Sequence, residues 1–143
     1  MEDDTKEELL NAAKAVAENA YSPYFHFRVG AAVYAEGKVF AGANIENAIS
    51  GLGMCAERVA LAHAFSHGVK KIEAIAIYCI DAKKEKDGKA VSNQCVPCGG
   101  CLQWIAELAK DAVIITSDRV YQLADLLPTP FVLEPMVHQL ALD

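Results

Sequence analysis

Positive charge is scarce in this chain, which sets 13 Lys and Arg against 19 Asp and Glu for a formal net charge of -6. Polynucleotide binding needs a basic surface, and the one lysine-dense stretch, between residues 83 and 89, has Asp and Glu mixed into it. This argues against nucleic acid as a substrate and disfavours a polynucleotide-editing enzyme, whereas an uncharged small molecule needs no such patch. Long apolar runs are also missing, none approaching the roughly 20 residues of a membrane-spanning helix, so no membrane partner is expected. The acidic opening Met1-Glu2-Asp3-Asp4 lacks the basic and apolar regions of a signal peptide. Cysteines are few and odd in number, five in all. With no secretion signal, the expectation is reduced thiols in the cytoplasm.

The 143 residues are enough for one core, and 1–143 is read as a single domain. Hydrophobic residues make up 53% of it. That is more apolar surface than one small globule hides, and oligomerisation is the natural outlet.

Two short stretches carry the chemistry: Met54-Cys55-Ala56-Glu57-Arg58 and, further on, Val96-Pro97-Cys98-Gly99-Gly100-Cys101-Leu102-Gln103. Cys98 and Cys101 are three apart, so at the start of a helix they share one face and reach one metal ion. Cys55, opening a second helix, adds a third thiolate, with Glu57 beside it but turned another way. Three thiolates hold a zinc ion and leave one position open for water, with a carboxylate base at hand. Helix N-termini favour thiolates through their free N–H groups and dipole. Ligand counting leaves a zinc site of this kind with a charge of about minus one, and the Arg58 guanidinium is placed to offset it.

A closed structural site would need a fourth protein ligand, to be drawn from Cys79, Cys95, His26, His63, His67 or His138. Cys95-Val96-Pro97-Cys98 is a competing C-x-x-C, but Pro97 disfavours helix before it, which leaves Cys95 in a loop and starts the helix near Cys98. Cys79, inside the apolar run Ile75 to Ile80, reads as an inert buried thiol.

Thr5-Lys6-Glu7-Glu8 reads as a capping box that opens a first helix running to about Asn19. Phe27 to Tyr34 and Val39 to Ala43 read as a hairpin around Ala35-Glu36-Gly37-Lys38. Ala56 to Ser66 reads as a helix closed by Gly68, and Lys71 to Ile80 as a central strand. His63 and His67 fall on one face of that helix and read as exposed or packing residues. Asp81 to Ser92 is a polar, charge-mixed stretch read as a solvated loop. A helix from Cys98 to about Lys110 and a short buried strand, Ala112 to Thr116, follow.

Cys-x-Glu with a distant Pro-Cys-x-x-Cys is the ligand pattern of zinc nucleobase deaminases, and the all-cysteine version here resembles the small homotetrameric cytidine deaminases. The resemblance extends to Ala20-Tyr21-Ser22-Pro23-Tyr24-Phe25-His26-Phe27-Arg28-Val29-Gly30-Ala31-Ala32, to Gly42-Ala43-Asn44-Ile45-Glu46-Asn47-Ala48, and to the Leu126-Leu127-Pro128-Thr129-Pro130-Phe131 tail. It implies an α/β three-layer α-β-α sandwich with a mixed sheet and both zinc helices on one face. It further implies one Zn²⁺ per chain on Cys55, Cys98 and Cys101, with Glu57 as the proton shuttle of cytidine or 2'-deoxycytidine deamination in pyrimidine salvage. By the same resemblance Phe27 faces the pyrimidine, and Asn44 and Glu46 bond the sugar hydroxyl. Phe131 reaches a neighbouring subunit of a homotetramer. Arg58, Gln103 and the Ala56 amide are expected around the metal and the base, Gln103 as a donor to the zinc-bound oxygen. Two positions depart from the family, Leu102 standing where Arg is usual and Ser50 where Tyr is frequent, and the stretch between Thr116 and Leu126 is shorter than the family norm, which implies a last strand that is reduced or absent. A deaminase of another aminopyrimidine nucleoside, of the blasticidin S type, is the nearest alternative.

Overall fold

The computed structural model describes residues 1–134. Its elements in order are α1 (Asp3–Ala17), β1 (Val29–Ala35), β2 (Lys38–Ala43), α2 (Ala56–Ser66), β3 (Ala74–Cys79), α3 (Gly99–Leu108), β4 (Val113–Ile115), β5 (Val120–Tyr121) and α4 (Leu123–Leu126). The five strands form one sheet in the order β2-β1-β3-β4-β5. β3 and β4 are parallel and the other pairs antiparallel, so the sheet is mixed, as expected. Among the described residues no helix is long and apolar enough to cross a membrane.

Strand alternation decides which helix lies where. Ala32, Ala74, Ala76 and Ile115 face one side and pack with Leu9 and Ala13 of α1. Ala31, Val33, Ile75, Ile77 and Ile114 face the other, where Ala60, Leu61 and Ala64 of α2 and Leu102 and Ile105 of α3 cover them. The result is the expected α-β-α sandwich with α2 and α3 on the same face. Leu102, whose place in the family is usually held by Arg, is spent on this core.

The layers sit unusually close at two glycines. A Cβ on Gly30 would lie 1.9 Å from the Ala13 carbonyl oxygen of α1, and one on Gly42 would lie 2.5 Å from the Ala60 amide nitrogen of α2. Helix α1 therefore meets β1, and α2 meets β2, backbone against backbone, with alanines at each contact.

Boundaries differ from the sequence reading in instructive ways. α1 starts at Asp3 behind Glu2 and no side chain caps it. The expected Thr5 capping box is thus absent: the first turn closes earlier, through Lys6 N–H to Glu2 O at 3.1 Å, and Asp3 and Asp4 complement the helix dipole. The hairpin turns on two residues, Glu36 (φ 52°) and Gly37 (φ 77°), both left-handed as a two-residue turn between twisted strands requires. α2 has the expected bounds, with Gly68 left-handed just after it. The last strand is indeed reduced, to Val120–Tyr121.

The stretch after β3 departs most. Lys84 pairs with Ala90, and Glu85 N–H donates to Lys89 O at 2.8 Å, so the solvated loop is a small closed excursion. Its two ends are tied by a disulfide between Cys79 and Cys95, whose Cα atoms are 5.8 Å apart. This corrects the reading of Cys79 as an inert thiol, of Cys95 as a free loop residue and of all cysteines as reduced. The pairing arises because the chain returns from the excursion alongside the end of β3, a proximity that sequence separation hides.

Two outcomes are expected from this packing. Gly30→Ala and Gly42→Ala should each destabilise the fold by about 1–3 kcal/mol or more, read as a lowered urea midpoint, because backbone rather than a flexible side chain must give way. Titration of unfolded, metal-free protein should find three thiols without reductant and five with it; five in both cases would dismiss the disulfide.

Candidate active site

Helices α2 and α3 begin next to one another at one end of the sheet. Cys55 stands immediately before α2 and Cys98 immediately before α3, both in extended conformation, and Cys101 lies in the first turn of α3. Their sulfurs all lie within 4.8 Å of one another, and no other such group of three His, Cys, Asp or Glu residues occurs among the described residues. Three soft donors at this separation fit an ion that takes tetrahedral sulfur bonds of about 2.3 Å. The donor chemistry therefore fits zinc, with Cys55, Cys98 and Cys101 as the residues that would hold it.

The charges around the sulfurs are consistent with that fit. The Cys55 thiol is lowered to about 5, chiefly by a hydrogen bond from Cys101 and, against the cost of burial, by Arg58. Cys101 is driven upward by the same shared proton and by burial. Arg58 Nη2 lies 3.6 Å from Cys55 Sγ and 3.5 Å from the Gly53 carbonyl oxygen. Its Nε is buried with no partner, a donor left over beside the sulfur cluster.

Glu57 is 5% exposed. Burial raises its carboxyl to about 7, and the Cys55 charge adds to the effect. A carboxyl balanced near neutrality can both accept and return a proton at ordinary pH.

Cys55, Cys98 and Glu57 line a cleft of about 620 Å³ whose lining also includes Phe27, Asn44, Glu46, Ser50, Ala56 and Arg58. Val29, Ile45, Met54, Ile77 and Val96 give it apolar walls, which suits a flat, uncharged ring. The structure thus brings together Cys55, Ala56, Glu57, Arg58, Cys98, Phe27, Asn44 and Glu46, with Cys101 buried just behind. Two expected participants lie elsewhere. Gln103 Nε2 donates to the Phe131 carbonyl oxygen at 2.9 Å and does not line the cleft, contrary to its expected place beside the metal. The reason is helical: two residues past Cys101 is a rotation of about 200°, onto another face. Phe131 is 70% exposed and likewise outside the cleft of its own chain. His63 and His67 are exposed and rest on Phe40, each ring centre 5.4 Å from it.

Asn44 and Glu46 also hold the wall of the cleft together. Asn44 Nδ2 donates to Phe27 O at 2.9 Å while Val29 N–H donates to Asn44 Oδ1 at 2.7 Å. Glu46 accepts from Ser22 Oγ at 2.6 Å and from the Tyr24 and Phe25 amides at 2.9 and 3.2 Å. Burial opposes ionisation of Glu46, yet these donors prevail and its carboxyl is lowered. Each side chain keeps unused hydrogen-bonding capacity for a ligand. Sequence reading missed Ser22, which stood in a quoted stretch but had no visible partner. It also missed Asp81, which accepts from Arg28 N, Nε and Nη2, each at 2.9 Å.

Comparison with known proteins settles the family. Residues 3–117 match the model of the cytidine and deoxycytidylate deaminase zinc-binding region. The chain belongs to this family. A cytidine deaminase of Halalkalibacterium halodurans is 38% identical over 135 residues, 90% of this chain and 95% of that one. One from Mycobacterium tuberculosis is 35% identical over 128 residues, 88% of each chain. The crystal structure of cytidine deaminase from Burkholderia pseudomallei superposes with a TM-score of 0.73 at 38% identity, over 87% of this chain and 98% of that one.

The Asp81 ion pair gives a pH-dependent expectation. Arg28 lowers the Asp81 carboxyl to about 2, against about 3.9 for a free aspartate. Its stabilising contribution is fully present above the unfolded value and is lost as pH falls through the folded one. The difference in melting temperature between the parent and Asp81→Asn should therefore shrink as pH is lowered from about 5 to about 2. A constant difference would place the effect in packing and not in charge.

Proposed function

We propose that this protein is a zinc-dependent hydrolase that converts cytidine or 2'-deoxycytidine to the uracil nucleoside and ammonia, as a salvage reaction. One observation carries the reading: the buried carboxyl of Glu57 stands beside a cluster of three cysteines on the wall of a cleft of about 620 Å³. The named activities of the relatives agree with it.

Cys55, Cys98 and Cys101 would hold the ion, which supplies Lewis-acid activation of a water molecule. Every proton movement is assigned to Glu57. It takes a proton from the attacking water and gives it to ring N3, which makes C4 electrophilic as the new C–O bond forms. It then carries the remaining proton of the new C4 hydroxyl to the exocyclic amine, so that the C4 carbonyl forms as the C–N bond breaks with ammonia as the leaving group. The environment supports both directions, since burial keeps the carboxyl from being a weak base, while a hydrogen bond from its own backbone N–H, another from Cys101 and the Arg58 charge keep it from being permanently protonated. Arg58 offsets the excess negative charge of three thiolates. The Ala56 amide is assigned to the base, Phe27 to the ring face, and Asn44 with Glu46 to a sugar hydroxyl.

Assembly is part of the reading. Phe25, Ile49, Leu52, Phe131, Val132 and Leu133 are each 64% exposed or more, a large apolar surface for one small chain. A homotetramer, with 1–143 as its single-domain protomer, would cover it and bring Phe131 to a neighbouring site.

The deciding variant is Glu57→Gln, which keeps size and hydrogen bonding but cannot exchange protons. Ammonia release from a panel of cytidine, 2'-deoxycytidine and blasticidin S should fall by roughly 10² to 10⁴ for the nucleoside preferred by the parent. Zinc content and nucleoside affinity should be retained. Turnover within about tenfold of the parent would remove Glu57 as the shuttle.

A further inference from the structure

Phe27 and Asn44 form one wall of the cleft, but the residues that fix that wall in place extend beyond it. The chain enters the wall through His26, whose φ of 52° is left-handed, a conformation a non-glycine side chain holds only where its surroundings impose it. On the near side Phe27 N–H donates to Ser22 Oγ at 2.9 Å. On the far side stands Arg28, which reaches two separate parts of the fold, the turn after β3 and the end of α1.

Asp81 lies just beyond β3 and grips Arg28 at both ends. Its Oδ2 accepts from the Arg28 backbone N–H and from Nε, and its Oδ1 accepts from Nη2. The remaining arm, Nη1, lies 3.3 Å from Glu18 at the end of α1. Ile80 N–H donates to the Arg28 carbonyl oxygen at 3.0 Å, so the backbone of this one residue is held on both sides by the turn after β3. Neither Arg28 nor Asp81 lines the cleft. The two residues flanking Arg28, however, are the ones that Asn44 joins: Phe27 through its carbonyl oxygen and Val29 through its amide.

We propose that Asp81, acting through Arg28, is a positioning residue that fixes Phe27 and Asn44 in the cleft and so sets how tightly the nucleoside is held. This rests on the nucleoside reading given above. A bidentate carboxylate–guanidinium pair with a third bond to backbone defines orientation as well as distance. Nothing in it touches the sulfur cluster or Glu57. Loss of the pair should therefore loosen the ring and sugar side of the cleft and leave the proton transfers in place, a signature in KM and not in kcat.

The test compares Asp81→Ala, Arg28→Ala and the double variant, each zinc-loaded, with the parent on cytidine. KM is expected to rise roughly tenfold or more in each single variant, with kcat within about threefold and zinc content unchanged. The double variant should be no worse than the singles, because the two residues act as one unit. Arg28→Lys retains charge without the two-point geometry and should give an intermediate KM; it also serves where an alanine variant fails to fold. Hydrogen–deuterium exchange without substrate should show faster exchange at residues 27–29 in Asp81→Ala, with α2 and α3 unaffected. Unchanged KM, equal damage to kcat, or unaltered exchange at 27–29 would overturn the proposal. A parent that deaminates none of the nucleosides would instead defeat the functional reading, and with it the nucleoside part of this one.

Discussion

The constraint on which this structure depends is the meeting of two helix N-termini at one end of a mixed sheet. Helix α2 must lie low on β2, and the absence of a side chain at Gly42 lets it do so. Helix α3 must return the chain from β3 to a parallel neighbour, β4, which requires a crossover and puts α3 on the same face as α2. With both helices fixed, Cys55, Cys98 and Cys101 have little choice but to converge. The thiolate-stabilising ends of two helices then add to the same site.

That convergence also determines the chemistry of Glu57. It stands two residues into the same entry turn as Cys55, so any arrangement that gathers the sulfurs also buries the carboxyl beside them. Burial drives its pKa upward and the Cys55 charge reinforces the shift, while Arg58 pulls the other way. The balance leaves a group near neutrality. Arg58 thus serves two neighbours at once, for its guanidinium also favours the Cys55 thiolate.

The opposite wall of the cleft is built on a different principle, a chain of hydrogen bonds in place of helix packing. Glu46, Ser22, Phe27, Asn44 and Val29 are linked in sequence through side chains and backbone. Asp81 and Arg28 attach that chain to the sheet and to α1. The Cys79–Cys95 disulfide holds the excursion that begins with Asp81 and ends just before Cys98. One wall is therefore set by packing and the other by polar bonds, and the two meet at the residues around the end of β3.

The sequence by itself determined what depends on local spacing and residue chemistry. Cys98-x-x-Cys101 behind Pro97, Cys55-x-Glu57 at a helix start, the short turn between β1 and β2 and the apolar run of β3 each follow from a period or a propensity acting over a few residues. Those features carried the sulfur cluster, the hairpin, the central strand and the helix bounds of α2, while the α-β-α layers were implied by the family resemblance. The tertiary structure decided whatever depends on which distant segments meet. Gln103 was adjacent to the cluster in sequence, yet the helical rotation aimed it at Phe131. Cys79 and Cys95 looked independent until the chain folded back. Thr5 had the right partner for a cap, but α1 had already begun at Asp3. Asp81 looked like one more charge in a polar loop, and only its return to Arg28 gave it three hydrogen bonds. Long-range polar partners leave no period in a sequence, because a carboxylate carries the same code whether it faces water or a guanidinium.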